Sequence, residues 1–291
     1  MHSSAKIAIS AVFLSILTQF AVEARASDFE SPRIAALGGS GRAGPLLNDA
    51  IFLNPSYASF LNTYSLAANY ELFNAGFEDA SGQSPIGGHL LSLSIQDGRS
   101  DVFQAGIAVT RREDIALINL GGSKMIIADR LAIGVHGKLG LPNDGSGQKI
   151  FDAGFSGSYA YSAWLQASLT VDNLLQGKSA QARGFYRQVS LGTKLTLEGI
   201  AWFFIDPHWT PDLTTGQLGF NAGIEVPILT DLLLRAGKFN DSHIAFMNSV
   251  SSGYGLGIGW LAPKISLDYG FQRVITPVPG AAHIFGVTIY F

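Results

Sequence analysis

Hydrophobic and polar residues alternate with a period of two along most of the chain. Between Lys264 and Gln272, for example, Ile265, Leu267, Tyr269 and Phe271 share one face, and polar residues or glycine occupy the other. Successive side chains of a β-strand point to opposite faces, so this pattern predicts strands with one apolar and one polar face. Fourteen segments fit the pattern, and they are centred near residues 67, 92, 106, 120, 135, 156, 168, 192, 203, 221, 235, 257, 267 and 287. The segments near 120 and 203 are the least regular, because apolar residues fall on both of their faces.

The connections between these segments alternate between short and long. Short ones are predicted at residues 97–98, 128–129, 162–163, 198–199, 227–230 and 262–263, and longer ones at residues 73–88, 141–149, 173–185, 207–215, 240–251 and 272–281. The connection from Arg111 to Glu113 is the exception, since it is brief and charged. An even strand number with tight turns on one side and longer loops on the other is typical of bacterial outer-membrane barrels. A secreted β-sandwich would also alternate, but a sheet in lipid must close on itself to leave no edge unpaired.

Composition favours the barrel over the sandwich. The 291-residue chain is 47% hydrophobic and only 14% charged, whereas soluble domains carry about a quarter of charged residues. The 34 glycines disfavour a helical bundle. A net charge of −3 provides no basic stripe for nucleic acid. Cysteine is absent, which excludes disulfides and thiol chemistry.

The N-terminus has the pattern of a cleaved secretory signal. Lys6 precedes an apolar run from Ile7 to Leu17, and Ala24-Arg25-Ala26 fits a small-x-small cleavage site after Ala26. The alternative is a transmembrane anchor, but the apolar run is shorter than the roughly 20 residues that a spanning helix needs. We therefore expect residues 1–26 to be a signal peptide.

The C-terminal strand carries an assembly pattern. It resembles the terminal strand that outer-membrane barrels present to the barrel assembly machinery, because Phe285, Val287, Ile289 and the final Phe291 share one face. This resemblance implies a bacterial outer-membrane location, with membrane lipid and the assembly machinery as partners.

The segment before the first strand does not alternate and contains a glycine-rich motif. The run Ala36-Leu37-Gly38-Gly39-Ser40-Gly41-Arg42-Ala43-Gly44 is followed by Asn48-Asp49-Ala50 and by Leu53-Asn54-Pro55-Ser56. This stretch resembles the N-terminus of the FadL-like superfamily, which comprises long-chain fatty-acid transporters and relatives that include secretion shuttles. In that family an acidic pair occupies the position of Asn48-Asp49. An Asn-Pro-Ala tripeptide occupies the position of Asn54-Pro55-Ser56, so that serine replaces alanine here. The resemblance implies a luminal hatch whose motif residues are Gly38, Gly39, Gly41, Asn48, Asp49, Asn54 and Pro55.

The resemblance also implies the domain organisation, with the hatch over residues 27–62 and the barrel over residues 63–291. Barrel size supports a hatch, because eight strands are filled by their own side chains while 16 to 18 leave an aqueous channel. A fourteen-stranded barrel therefore has a lumen that another segment must fill.

The polar faces of the strands predict the lumen wall. Six lumen-lining residues stand out, namely His136, Lys138, Gln166, Lys194, Glu225 and Asp268. Both signs of charge are present, without the single-sign ring that selects ions. The histidines are scattered, and no nucleophile is paired with a base, so we expect no enzyme, metal site or cofactor. The segment from Asp206 to Asp212 contains two prolines and predicts a rigid outer loop, with Trp209 at the membrane interface.

Two functions remain open from the sequence. The first is a porin-like transporter for hydrophobic or small amphipathic solutes. The second is a structural or partner-binding barrel, either a homo-oligomer or a component of a secretion complex. Fatty-acid transporters are longer and carry large outer loops that capture substrate, and the longest loop expected here has about sixteen residues. The resemblance therefore implies a short member without that capture site.

Overall fold

The computed structural model describes residues 29–76, 86–112, 114–143, 148–247 and 249–291. The signal peptide expected for residues 1–26 lies outside this part of the chain. The described residues form an all-β protein whose fourteen antiparallel strands close into a barrel, each pairing with its neighbours in sequence and the last pairing with the first. The strands are β1 Tyr64–Ala75, β2 Ile86–Asp97, β3 Gln104–Arg111, β4 Ile115–Ile127, β5 Leu131–Pro142, β6 Ile150–Ala160, β7 Leu165–Asp172, β8 Gln188–Leu197, β9 Ala201–Trp209, β10 Leu218–Pro227, β11 Leu232–His243, β12 Val250–Leu261, β13 Ile265–Thr276 and β14 Gly280–Tyr290.

All fourteen predicted strand centres lie inside an observed strand. The connections at the end that carries the start of β1 and the end of β14 have three to six residues, and the longer connections are at the opposite end, which we call the outer end. The prediction of a long connection over residues 272–281 is wrong. β13 continues to Thr276 and β14 begins at Gly280, because Val274 and Ala282 are fully buried under an outer loop that stabilises the extra strand residues.

The prediction that residues 206–212 form a loop is also wrong for its first half. β9 runs through Asp206, Pro207 and His208 to Trp209. Proline has no N–H to donate to a sheet, but the pairing of β8 with β9 is interrupted between Ser190–His208 and Thr193–Ile205, so a missing donor at Pro207 is tolerated there. Trp209 points outward and is 47% exposed, as a residue at a membrane interface would be.

The two faces of the barrel wall have opposite chemistry. Large apolar side chains on the outer face are exposed, for example Leu93, Val135 and Phe151, whose exposed fractions are 53%, 60% and 60%. Polar side chains such as Ser92 and Ser190 are fully buried on the inner face. This inversion of the soluble pattern indicates a wall that faces lipid. Within the described residues, no helix is long and apolar enough to cross a membrane.

Two loops fold over the outer end of the lumen. The loop between β11 and β12 buries Ile244, Phe246 and Met247 against inward residues of the wall, and Phe246 stacks on Phe73 with 5.6 Å between ring centroids. The loop between β7 and β8 contains a short helix (Lys178–Gln181) and buries Phe185 in a second apolar cluster. The outer end of the lumen is thus covered by apolar packing.

The segment before β1 occupies the lumen. It forms two short helices, α1 (Pro32–Ala36) and α2 (Asp49–Leu53), followed by a 3₁₀ helix (Pro55–Phe60). α1 contacts β11 to β14, whereas the 3₁₀ helix contacts β3 to β6 on the opposite wall. The segment therefore spans the barrel interior and plugs it, and we call residues 29–62 the hatch.

Candidate functional site in the barrel lumen

The hatch rests on a bed of wall glycines. The inner face of β12 carries Gly255 and Gly257, and a Cβ atom added at Gly255 would lie 1.9 Å from the carbonyl oxygen of Ala35 in α1. At Gly237 of β11 and Gly270 of β13 an added Cβ would lie 2.0 Å and 2.3 Å from the backbone of the hatch. Every second residue of β12 from Gly253 to Gly259 is glycine, and this bare face lets the α1 backbone lie directly on the wall.

A left-handed turn follows α1. Gly38, Gly39 and Gly41 of the predicted motif all have positive φ, at 64°, 79° and 119°, a conformation that side chains other than glycine's disfavour. The turn aims two backbone N–H groups at the wall, and those of Gly41 and Arg42 donate to one carboxylate oxygen of Asp206 at 2.8 Å and 2.9 Å. The sequence singled out the glycines, but it did not identify Asp206 as their partner.

The Asn54-Pro55 turn attaches the hatch to the opposite wall. Asn54 is fully buried, and its side-chain amide donates to the carbonyl of Arg42 and to Ser158 Oγ, each at 2.7 Å. Its side-chain oxygen accepts from Ser56 Oγ at 2.6 Å. The backbone N–H of Ser56 donates to Ser156 Oγ at 3.0 Å. The motif thus connects two parts of the hatch to β6.

Five charges of alternating sign, four of them buried and Asp268 half-buried, link the hatch to the wall between these two attachments. Arg33 of α1 lies 3.6 Å from Asp49 and 3.1 Å from Glu225. Arg235 lies 2.5 Å from Glu225 and 2.5 Å from Asp268. Three of the predicted site residues, Asp49, Glu225 and Asp268, are therefore brought together by two arginines.

Neither arginine is predicted as a site residue from the sequence. Arg235 is preceded by three leucines, so the alternation of β11 is hidden there, and Arg33 lies in a segment without periodicity. One sequence signal pointed to them indirectly. Glu225 and Asp268 are predicted on the inner faces, and they need cationic partners there because buried charges are rarely left unpaired.

A cavity of about 90 Å³ lies between the hatch and the outer part of the wall. One side belongs to the hatch, and there Phe29, Ile34, Ile51, Phe52 and Leu53 lie beside the charged Glu30 and Arg42. The other side is polar and belongs mainly to the wall, with Asn119, His136, Lys138, Asp172, Gln188 and Asn221. At about 15 Å³ for each enclosed water, the cavity has room for roughly six waters or a small organic molecule. We call it the lumen chamber.

Hydrogen bonds and ion pairs fix the polar side of the lumen chamber. His136 Nε2 lies 3.3 Å from the carboxylate of Asp172. Lys138 donates to the side-chain oxygen of Asn173 at 2.6 Å and lies over the ring of Phe185 at 4.8 Å. Asn119 is 5% exposed, and its side-chain N–H₂ has no hydrogen-bond partner. A buried donor of this kind is available to a bound solute.

Two hatch carboxyl groups have perturbed acidity. Burial raises the pKa of Glu30 to about 7, and a hydrogen bond donated by Gln272 at 2.6 Å opposes the shift. Burial likewise raises the pKa of Asp49 to about 6, against the opposing charge of Arg33. Both groups therefore favour the protonated form more than they would in water.

The remaining predicted lumen residues also contact the hatch. Gln166 accepts a hydrogen bond from Tyr57 at 2.9 Å, and the side chain of Lys194 lies against Gly44, where an added Cβ would come within 2.5 Å. Asn48 is 4% exposed and has no hydrogen-bond partner for its side chain.

The four residues of the assembly pattern are far from the lumen chamber. They lie on the outer face of β14 and at the chain end, where Phe291 exchanges backbone hydrogen bonds with Tyr64.

The barrel and hatch are similar to those of solved structures, although the sequence is not. No protein-family model and no curated protein matches the sequence. Solved structures do match. The Ralstonia pickettii toluene transporter TbuX has a TM-score of 0.68 and 9% identity, over 94% of this chain and 100% of its own. A Pseudomonas aeruginosa FadL homologue has a TM-score of 0.62 and 12% identity, over 92% and 99%. The Acinetobacter baumannii outer membrane protein Omp33 has a TM-score of 0.50 and 6% identity, over 79% and 99%.

These similarities agree with the geometry of the barrel and of the hatch. The fourteen-stranded barrel matches bacterial outer-membrane proteins, and the match to TbuX and to the FadL homologue extends over more than nine-tenths of the chain. The chain has the fold of the FadL-like outer-membrane transport barrels.

Proposed function

We propose that the protein carries small amphipathic or hydrophobic solutes through the barrel, with the lumen chamber as the point where the solute is held. The observation that carries the proposal is the two-sided lining of the chamber. Five apolar hatch side chains, with Glu30 and Arg42 beside them, face a polar wall surface across about 90 Å³, which suits a molecule with an apolar body and a polar group. A toluene transporter among the similar folds supports a small solute.

Passage requires two changes, because two loops cover the outer end of the lumen and the hatch occupies the space below. The loops that bury Phe246 and Phe185 must leave the outer end, and the hatch must shift away from β11 to β14. The charged links of Arg33 and Arg235 hold the hatch in its closed position. Solute binding to the apolar hatch surface favours whichever hatch position leaves that surface accessible.

Uptake by protein-containing liposomes tests the proposal. The solutes are benzyl alcohol, toluene and a long-chain fatty acid, which separate small amphipathic, small apolar and long amphipathic molecules. We expect benzyl alcohol and toluene to enter faster than in protein-free liposomes, and the fatty acid to enter no faster. Equal rates for all three solutes with and without protein would contradict the proposal.

A single variant tests the chamber itself. Asn119→Leu keeps the branching of the side chain and removes the unpartnered donor, so uptake of benzyl alcohol should fall about fivefold, the effect of one neutral hydrogen bond. Uptake of toluene should be unchanged. Asn69→Leu is the matched control, since Asn69 is also a buried wall asparagine but lines a separate cavity. Equal loss in both variants would place the solute path elsewhere.

A further inference from the structure

The outer face of the barrel carries a row of basic side chains on one half only. The row consists of Lys238 on β11, Arg273 on β13, His283 on β14, His89 on β2 and Arg111 on β3. Each lies six to eight residues along its strand from the end of the barrel that carries the short turns. At about 2.6 Å of height per residue of a tilted strand, all five lie about 16–21 Å above that end. They form a belt in the outer part of an apolar band that is about 25 Å tall in such barrels, and long Lys and Arg side chains reach from there towards its edge.

Among the described residues, the other half of the barrel has no basic side chain on its outer face at this height. The outward positions of β4 to β10 at the same distance from the strand ends are all apolar, namely Leu120, Leu139, Ala153, Val171, Leu191, Pro207 and Phe220. The belt is therefore a feature of β11 to β14 and β1 to β3, and it does not follow from barrel architecture in general.

The belt is basic and aromatic without an acid at its level. Among the described residues of these seven strands, no Asp or Glu points outward within the belt. The nearest, Asp241, accepts a hydrogen bond from the side chain of Asn240 at 2.7 Å. Tyr254 lies between Lys238 and Arg273 in the sheet register, and Tyr269 is hydrogen-bonded to the ring of His283 at 2.8 Å. Cations supported by aromatic rings at a membrane interface attract anionic headgroups.

An apolar hollow lies directly below the belt on the same strands. It has a volume of about 570 Å³ and is lined by Tyr70, Trp260, Leu267, Phe285 and Val287 among others. A second hollow of about 460 Å³ adjoins it and shares Ala68 and Val287. The hollows exist because Ala68 is small where its outward neighbours on β1 are Leu66 and Tyr70. Such a recess in the wall suits acyl chains.

We propose that this half of the barrel binds phosphorylated lipids of the outer leaflet side by side. Their phosphate groups contact Arg111, Lys238 and Arg273, which lie on strands two to six places apart, and acyl chains lie in the hollow beside Ala68. Charge complementarity and the position of the hollow below the belt select a lipid with anionic phosphate groups. The proposal does not depend on what the lumen carries.

Binding of diphosphorylated lipid A to delipidated protein in a neutral detergent, followed by native mass spectrometry, tests the proposal. A Lys or Arg near an anionic lipid surface contributes about a factor of five to binding. Each lipid meets one or two of the three cations, so the triple variant Arg111→Gln/Lys238→Gln/Arg273→Gln should bind lipid A about five- to 25-fold more weakly. The control Lys124→Gln/Arg130→Gln/Lys264→Gln removes the same charge near the opposite end of the barrel and should bind like the unmodified protein.

Competition and a second pair of variants separate the alternatives. Ala68→Trp fills the hollow and should weaken lipid A binding about tenfold, whereas Ala167→Trp, on the outer face of β7, should not. Phosphatidylcholine should not displace lipid A, and inorganic phosphate should not bind measurably. The proposal is overturned if both triple variants lose the same affinity, if phosphatidylcholine competes equally, or if free phosphate binds as well as the lipid. It is also overturned if the belt variant changes only the number of protein copies in the complex.

Discussion

Substitution of a single wall glycine should unseat the hatch without damaging the barrel. In Gly255→Ala the new Cβ would lie 1.9 Å from the carbonyl oxygen of Ala35, whereas an ordinary contact begins near 3.4 Å. α1 must therefore retreat by about 1.5 Å. The same shift would stretch the contact of Arg33 with Glu225 from 3.1 Å beyond the 4 Å of an ion pair.

Overpacking of this kind destabilises a structure by about 1–3 kcal/mol. The loss affects the seating of the hatch and not the barrel, because movement of α1 away from β12 removes the clash. At this magnitude the hatch would be displaced roughly 5 to 150 times more often than in the unmodified protein. Cleavage by an added protease within residues 29–62 should accelerate by that factor, and solute uptake into liposomes should rise. Heat-dependent migration in gels, which reports the closed barrel, should not change.

Gly137→Ala is the matched control, because an added Cβ at Gly137 meets no atom within 4 Å. Both variants replace a strand glycine by alanine, so any general effect on the strand is shared. If Gly255→Ala leaves the hatch as protected as Gly137→Ala does, the wall glycines do not seat α1 and the reasoning is refuted.

Three further predictions concern other parts of the molecule. Burial raises the pKa of Glu30 above its ordinary value of 4.5 to about 7, so the seated hatch is most stable below pH 4.5 and loses stability as the pH rises towards 7. Proteolysis of the hatch should therefore be faster at pH 8 than at pH 5. Glu30→Gln should flatten the slope above pH 6, and an unchanged slope would contradict the assignment. Phe246→Ala removes a buried ring worth about 3–5 kcal/mol and should speed solute entry from the outer side, measured as uptake by oriented vesicles, whereas the exposed Phe151→Ala should not. Deletion of Phe291 should lower the amount of heat-modifiable barrel in the membrane, and a full yield would show that the terminal residue is not an assembly signal.

The barrel was predictable because its wall obeys one local rule. A strand between lipid and lumen must alternate, and this rule is visible in ten residues of sequence even where glycine replaces the polar residues, as on β12. The alternation does not predict where strands end, because contacts with other elements decide this. β13 continues to Thr276 under the apolar loop that contains Phe246, and the sequence near β13 gives no information about that loop.

Site residues were predictable only where the local backbone conformation requires a particular residue type. Asn54 and Gly41 stood out because a turn and positive φ require such residues. Arg33, Arg235 and Asp206 did not, because each acquires its role from a partner between 10 and 192 positions away in the chain. The glycines of β12 were visible as a pattern, but a bare glycine face does not specify which segment will lie on it.

The division of the hatch between two walls joins the two halves of the sheet. The 3₁₀ helix contacts β3 to β6, which belong to the first half of the chain, whereas α1 contacts β11 to β14. Each attachment needs only the strands of its own half, so either one can form while the sheet is still open. The seam between β1 and β14 then closes around the hatch. A sheet without β11 to β14 would hold the Asn54 attachment alone and would leave α1 without its bed of glycines.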